Sequence, residues 1–325
     1  ARAERQAPPA RSSGCARVLA CVQHARIDKG AVCRLMCDGR VFDYLKPWNR
    51  GETYGPSTGT GFFLEGVSAP NDGAPLLITA YHCVDMGINV RVVVEGLSSG
   101  YTPATLVGAN PALDVAVLRV EGITAENMER IPRLRVGDSD KCFLTQRLQA
   151  VGFALGEVHM QTTFGVVSGR TETHLQVDAA VNGGNSGGPV VNDDGEVIGI
   201  VVAGMEGAEN VNFMCPLAEA LKSIGRIVRD ASPPRRRGQE AAAAAAPVCV
   251  HSPTMDAALR LTNVAMLRSI GSPDGVIVAA VLGGSPLHLA GVRAGDVLCS
   301  VDDHDIDVQG RVEARGFWGY RLDVD

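Results

Sequence analysis

Between residues 30 and 230 the chain repeats one pattern: short runs of aliphatic, mostly β-branched residues, each closed by Gly, Asn, Asp or Pro. Residues 76–79 (Leu-Leu-Ile-Thr), 90–94 (Val-Arg-Val-Val-Val), 115–120 (Val-Ala-Val-Leu-Arg-Val), 163–167 and 197–202 are examples. Runs of this length and composition predict strands, and their punctuation predicts an all-β unit. At 216–229 the period changes. Leu217, Leu221, Ile224 and Val228 recur at helical spacing, which predicts a helix packed on the strands before it.

The pattern then stops. Ser232-Pro233-Pro234, Arg235-Arg236-Arg237 and the alanine run 241–246 closed by Pro247 carry neither period, so residues 231–248 read as a linker. Beyond it, Gly275-Val276-Ile277-Val278-Ala279-Ala280-Val281 restores a strand pattern in a second, smaller unit, 249–325. Residues 1–29 form a low-complexity N-terminal segment. It begins at Ala1 and is rich in Ala, Arg and Pro as far as Ser13, which leaves room for a targeting or pro-segment.

Composition sharpens this picture. Glycine is 38 of 325 residues and aromatic residues are 5%, as a turn-rich barrel of aliphatic strands would show. No apolar run approaches the roughly 18 residues of a membrane helix. Net charge is −6, and Arg235–237 is a lone basic run, so a solvated linker is favoured over a nucleic-acid surface. The cysteines number nine, so at least one is unpaired, and none form CxxC pairs. Cys15, Cys21, Cys33 and Cys37 with His24 do not match common zinc spacings, and neither a metal nor a cofactor is expected. Unpaired thiols favour a reducing intracellular compartment, whether cytosol, nucleus or organelle lumen, over secretion.

Candidate chemistry concentrates in Asn182-Gly183-Gly184-Asn185-Ser186-Gly187-Gly188-Pro189. Glycines around a serine let bare N–H groups approach a carbonyl where a Cβ would clash or forbid the backbone angle. Ser186 is the candidate nucleophile, and the N–H groups of Gly184 and Ser186 are candidate oxyanion donors; an ordinary hairpin could carry the same letters. Two segments add weight. The strand at 76–80 runs into Tyr81-His82-Cys83, and Asn110-Pro111-Ala112-Leu113-Asp114 sets one carboxylate at the mouth of the strand at 115–120. A serine hydroxyl is a weak nucleophile, so His82 would take its proton and pass it to the leaving amine while Asp114 orients the ring. The order His, Asp, Ser, with separations of 32 and 72 residues, is that of the double β-barrel peptidases. His24, His159, His174, His251, His288 and His304 lack such surroundings, and Asp138 and Asp178 read as turn and capping groups.

Several motifs, in order, resemble the HtrA/Deg family of trypsin-like proteases over about residues 32–229. They are Gly59-Thr60-Gly61-Phe62-Phe63-Leu64, the His82 and Asp114 segments, Gly137-Asp138-Ser139-Asp140, residues 164–170 and the Ser186 turn. Residues 42–48 look like the entry segment of the eukaryotic Deg branch, whose members carry more than one PDZ-type module. The resemblance implies a mainly β chain: a chymotrypsin/trypsin-like double β-barrel at 30–230, then a PDZ-like domain at 249–325. It also implies that Ala180, six before the nucleophile, floors the S1 pocket, with Val201, Val202 and Ala203 in its wall and a loop at 205–212 shaping it. A pocket of this kind suits small or medium aliphatic P1 residues, not Arg or Lys. In secreted trypsins the cysteine after the catalytic histidine is disulfide-bonded; here no cysteine lies between Cys37 and Cys83 to serve it.

Residues 275–281, Ser285-Pro286 and residues 290–298 resemble an HtrA-type PDZ module over about residues 249–325, which would take peptide C-termini on backbone amides near 269–275. The family's groove-lining helix and closing strand are not evident after Ile306, so the module reads as truncated, with a degenerate packing module as the other option. The reading that follows is an ATP-independent endopeptidase acting on unfolded or partner polypeptides. It would assemble as homo-oligomers, trimers or multiples of them, for which Phe42, Tyr44 and Trp48 are possible anchors. A silent scaffold keeping the protease-PDZ fold and a single-site processing protease are the alternatives.

Overall fold

The computed structural model describes residues 27–40, 51–95, 97, 100–124, 127–171, 173–204, 211–231, 247–250, 257–260, 264–269, 271, 274–281, 286–301, 304–308, 311–314 and 317–321. Six strands close the first barrel: β1 (Val32–Arg40), β2 (Thr53–Ser68), β3 (Pro75–Ala80), β4 (Gly87–Val93), β5 (Thr102–Asn110) and β6 (Val115–Val120). They pair antiparallel in the order β5-β4-β1-β2-β3-β6, and β6 returns to β5. The second barrel follows β7 (Arg135–Val136) and is built from β8 (Arg147–Gly152), β9 (Gln161–Arg170), β10 (Leu175–Val177), β11 (Pro189–Val191), β12 (Glu196–Gly204) and β13 (Asn212–Pro216). Its order β11-β8-β9-β10-β13-β12 is closed by pairing of β11 with β12. The expected double β-barrel is what the chain forms.

β3 and β6 read as nearly continuous apolar runs, interrupted at Thr79 and Arg119, because both of their faces are covered. Leu77 and Ala80 of β3, with Ala116 and Leu118 of β6, point into the first barrel beside Leu35 and Phe63. Leu76, Ile78, Val115 and Val117 face the other way, into a core shared with Val151, Val191 and Ile200 of the second barrel. A strand buried on one face only would alternate polar and apolar residues; these two cannot.

The helix α1 (Leu217–Asp230) forms where the periodicity placed it. It buries Leu217, Ala220, Ile224 and Ile227 in the shared core, with Leu221 and Val228 partly covered. Its N-cap position is Pro216, whose side chain cannot accept a hydrogen bond. The hydroxyl of buried Ser139 does so instead, accepting from Ala218 N–H at 2.9 Å and satisfying one of the helix's open donors. Asp138 caps its own turn, accepting from Asp140 N–H, whereas Asp178 accepts from Val166 N–H of the distant strand β9.

After α1, β14 (Val248–Cys249) adds to β5 in parallel, so the end of the stretch read as linker is attached to the first barrel. The C-terminal unit holds β15 (Ala257–Arg260), α2 (Val264–Ser269), β16 (Val276–Val281), α3 (Pro286–Leu289) and β17 (Val297–Leu298), with β15-β16-β17 in one antiparallel sheet. Leu259, Val276, Val278 and Ile306 make its small core. Beyond Ile306, Arg311–Ala314 pairs with Phe317–Arg321, a hairpin where the sequence showed no closing strand. The anchors Phe42, Tyr44 and Trp48, the alanine run, Arg235–237 and the loop at 205–210 lie outside the described residues.

Candidate active site

β3 pairs with β6 so that Ala80 stands opposite Val115. This register brings the residues just beyond the two strand ends, Tyr81-His82 and Asp114, face to face. Asn110 holds the Asp114 turn: buried, it accepts from the N–H groups of Ala112 and Leu113 and donates from Nδ2 to Ser223 of α1. Asp114 itself has φ 54°, a left-handed value that aspartate tolerates better than most residues and that aims its carboxylate back at β3.

That carboxylate makes two bonds to one residue. Oδ1 accepts from His82 N–H at 2.8 Å, and Oδ2 meets His82 Nδ1 at 2.5 Å. Tyr81 N–H adds a third tie, to the Asp114 carbonyl. The ring is therefore fixed through its Nδ1 edge. The Asp114 bond, first among the causes, raises the His82 pKa from 6.5 to about 10; contact with Cys83 adds to the rise and desolvation opposes it. The side chain is 47% exposed, so the imidazole is open to solvent and to an incoming chain.

Ser186 is half-buried on a turn built almost wholly from backbone contacts. Gly187 N–H donates to the carbonyl of Val201, and Val201 N–H to that of Gly188, which ties the turn to β12. Gly184 has φ 99°, and a Cβ there would sit 2.3 Å from the Phe153 carbonyl; at Gly188 one would sit 2.1 Å from the Val151 carbonyl. No other residue fits either place without moving β8 or the loop after it. The Gly183 carbonyl accepts from Leu155 N–H at 2.5 Å. In a trans peptide C=O and N–H point oppositely, so the Gly184 N–H is turned away from Leu155.

The structure thus joins His82 to Asp114 and sets the Ser186 turn beside them through Cys83, whose thiol lies 3.7 Å from His82 Nε2 and 3.6 Å from the Ser186 carbonyl. Among the described contacts the Ser186 hydroxyl has no hydrogen bond to the His82 ring. Ala180 is exposed, and its carbonyl accepts from Thr163. Val201 and Val202 are buried in the core; of Ala203 only the backbone, within β12, is described. Sequence reasoning missed Thr60. It is wholly buried in β2, and both its N–H and its hydroxyl donate to the Ser186 turn.

Residues 59–200 match the trypsin-like peptidase domain family. A probable periplasmic serine endoprotease, DegP-like, of Chlamydia pneumoniae is 29% identical over 77% of this chain and 47% of its own length. The chain is similar to serine proteases of the HtrA/Deg type. Other relatives include the putative serine protease HhoB of Synechocystis, 29% identical over 79% of this chain and 60% of its own length. The chloroplastic Protease Do-like 2 of Arabidopsis thaliana is 29% identical over 88% of this chain and 44% of its own length. The chain spans about half the length of the first of these relatives. Among solved structures, the HtrA-type protease AlgW with decapeptide shares the fold, with TM-score 0.61 at 22% identity over 88% of this chain and 85% of that one.

Several of the relatives are named periplasmic, and this overturns the reducing intracellular compartment expected from the cysteines. The cysteines misled because of where they sit. Among the described residues Cys33, Cys37, Cys83, Cys142 and Cys215 are buried, while Cys249 and Cys299 are exposed. Burial pushes the Cys142 thiol to about 11 and Cys33 higher still, so little thiolate is present to be oxidised. A thiol shut in a core stays unpaired whatever the redox poise outside, and its presence does not report the compartment.

Proposed function

We propose that the chain is a serine endopeptidase. In this reading the Ser186 hydroxyl attacks a peptide carbonyl, His82 Nε2 takes its proton and delivers it to the leaving amine, and Asp114 holds the ring and stabilises its charged form. The N–H groups of Gly184 and Ser186 receive the oxyanion. The observation that carries the reading is the two-point grip of Asp114 on His82, backbone and ring together, beside a serine turn that only glycines can form.

The same reading assigns Ala180 to the floor of an S1 pocket walled by the β12 segment Val201, Val202 and Ala203, suited to small aliphatic side chains. It takes residues 30–230 as the protease unit and the small sheet after residue 249 as a PDZ-type module that binds peptide C-termini. The substrates are unfolded or loosely folded polypeptides, and the working form is a homo-oligomer. One observation favours a silent scaffold instead: the atom near His82 Nε2 is the Cys83 sulfur, not the Ser186 hydroxyl. Catalytic bonds are often loose before substrate binds, so the protease reading is preferred.

Intact-mass labelling with a fluorophosphonate decides between them. One adduct on the full chain, absent from Ser186→Ala, supports the enzyme; no adduct, with or without added C-terminal peptides, supports the scaffold. Mapping the products from casein separates broad cleavage, at many sites after Val, Ala or Ile, from single-site processing.

A further inference from the structure

We propose that Thr60 is a positioning residue for the oxyanion turn, a first-barrel side chain that sets the direction of the donors on the second barrel. The inference rests on the serine-endopeptidase reading above. Thr60 is 0% exposed in β2. Its hydroxyl donates to the Gly184 carbonyl at 2.6 Å and accepts from Phe153 N–H at 3.0 Å, while its N–H donates to the Ser186 carbonyl at 2.9 Å. Its own carbonyl accepts from the Thr79 hydroxyl at 2.7 Å, which anchors it to β3 next to the His82 turn.

Gly184 needs such a clamp. It joins two peptide planes at a residue with the widest conformational freedom of any. The plane before it is held by Leu155 N–H on the Gly183 carbonyl, and the plane after it by the Thr60 hydroxyl on the Gly184 carbonyl together with Asn185 N–H on the Asn182 carbonyl. The side chain between the two donors does not do this: Asn185 is 1% exposed, and its Oδ1 has no hydrogen-bond partner among the described residues. Gly152 leaves the space the hydroxyl occupies, since a Cβ there would lie 2.8 Å from Thr60 Oγ1.

Removing the hydroxyl leaves the second plane to the local Asn185–Asn182 bond alone and strands two buried groups, the Gly184 carbonyl and the Phe153 N–H. The oxyanion exists only after attack, so misaimed donors weaken the transition state and leave ground-state binding alone. The test compares the full chain with Thr60→Val, which keeps the shape, and Thr60→Ser, which keeps the hydroxyl. The readouts are kcat and KM on a fluorogenic peptide and a thermal melt of each sample. Thr60→Val is expected to lower kcat roughly 10- to 100-fold, less than loss of a whole donor, with KM within about twofold. Thr60→Ser is expected to restore most of it.

Unchanged kcat in Thr60→Val, a rise in KM alone, or a Thr60→Ser variant as impaired as the valine would overturn the proposal. If the valine variant does not fold, Thr60→Cys takes its place, because a thiol is only a weak hydrogen-bond donor. Wild-type kcat in folded Thr60→Cys contradicts the proposal, and a loss of kcat at constant KM supports it. Wild-type chain that neither labels at Ser186 nor cleaves overturns the protease reading itself, before any variant is compared.

Discussion

His82 and Asp114 are held by side-chain atoms on the first barrel: two carboxylate oxygens on one histidine, and an asparagine amide that fixes the aspartate's turn. The Ser186 turn on the second barrel is held by backbone N–H and carbonyl groups and by the absence of side chains at Gly184 and Gly188. One half is specified by what particular side chains donate or accept. The other is specified by what must not be there. The first half should therefore fail through chemistry and pH, and the second through small increments of volume.

The largest effect belongs to the one side chain that the second half contributes. Ser186→Ala should lower kcat on the order of 10⁶-fold, as loss of the nucleophile does in a comparable triad, and abolish fluorophosphonate labelling while leaving the thermal melt unchanged. In the first half, Asp114→Asn should cost about 10⁴ in kcat by favouring the wrong tautomer. It should also move the pH profile. The base must be neutral to act, and Asp114 holds the His82 pKa up, to about 10, so kcat/KM climbs with pH and the climb shifts to lower pH in the variant. The stability linked to this raised pKa is full below 6.5 and is lost as pH rises through about 10; with the ring 47% exposed it is small. Melts of wild type and variant across that window measure it.

Gly184→Ala tests the half built from absences. With its Cβ set against the Phe153 carbonyl, the donor is displaced, and kcat should drop about 10²–10³-fold in steady-state assays without a shift in the pH profile. A shift would mean that the two halves are not independent. The smallest effect tests the scaffold beneath both. Ser139→Ala removes the borrowed cap of α1 and should cost about 1 kcal/mol in denaturant unfolding, with kcat unchanged.

Much of this was legible in the letters, and for local reasons. β3, β6, β12 and α1 announce themselves because their periods record which faces are buried, and the Ser186 turn because glycines there answer a steric demand. What was not legible is long-range. Thr60 and Gly184 are 124 residues apart, and no local pattern marks a threonine in an apolar strand as the partner of a distant carbonyl. The cysteines misled for a similar reason: their number is in the composition, but the burial of the five in the two barrels is not.

The sequence by itself determined the strand and helix periods, the His82, Asp114 and Ser186 candidates and their order, because side-chain alternation and backbone permissiveness act within a few residues. Only the tertiary structure decided that β3 and β6 are covered on both faces, that Asp114 grips His82 at two points, and that a first-barrel threonine clamps the second barrel's turn. These are contacts between segments tens of residues apart, fixed when two barrels close and share a core.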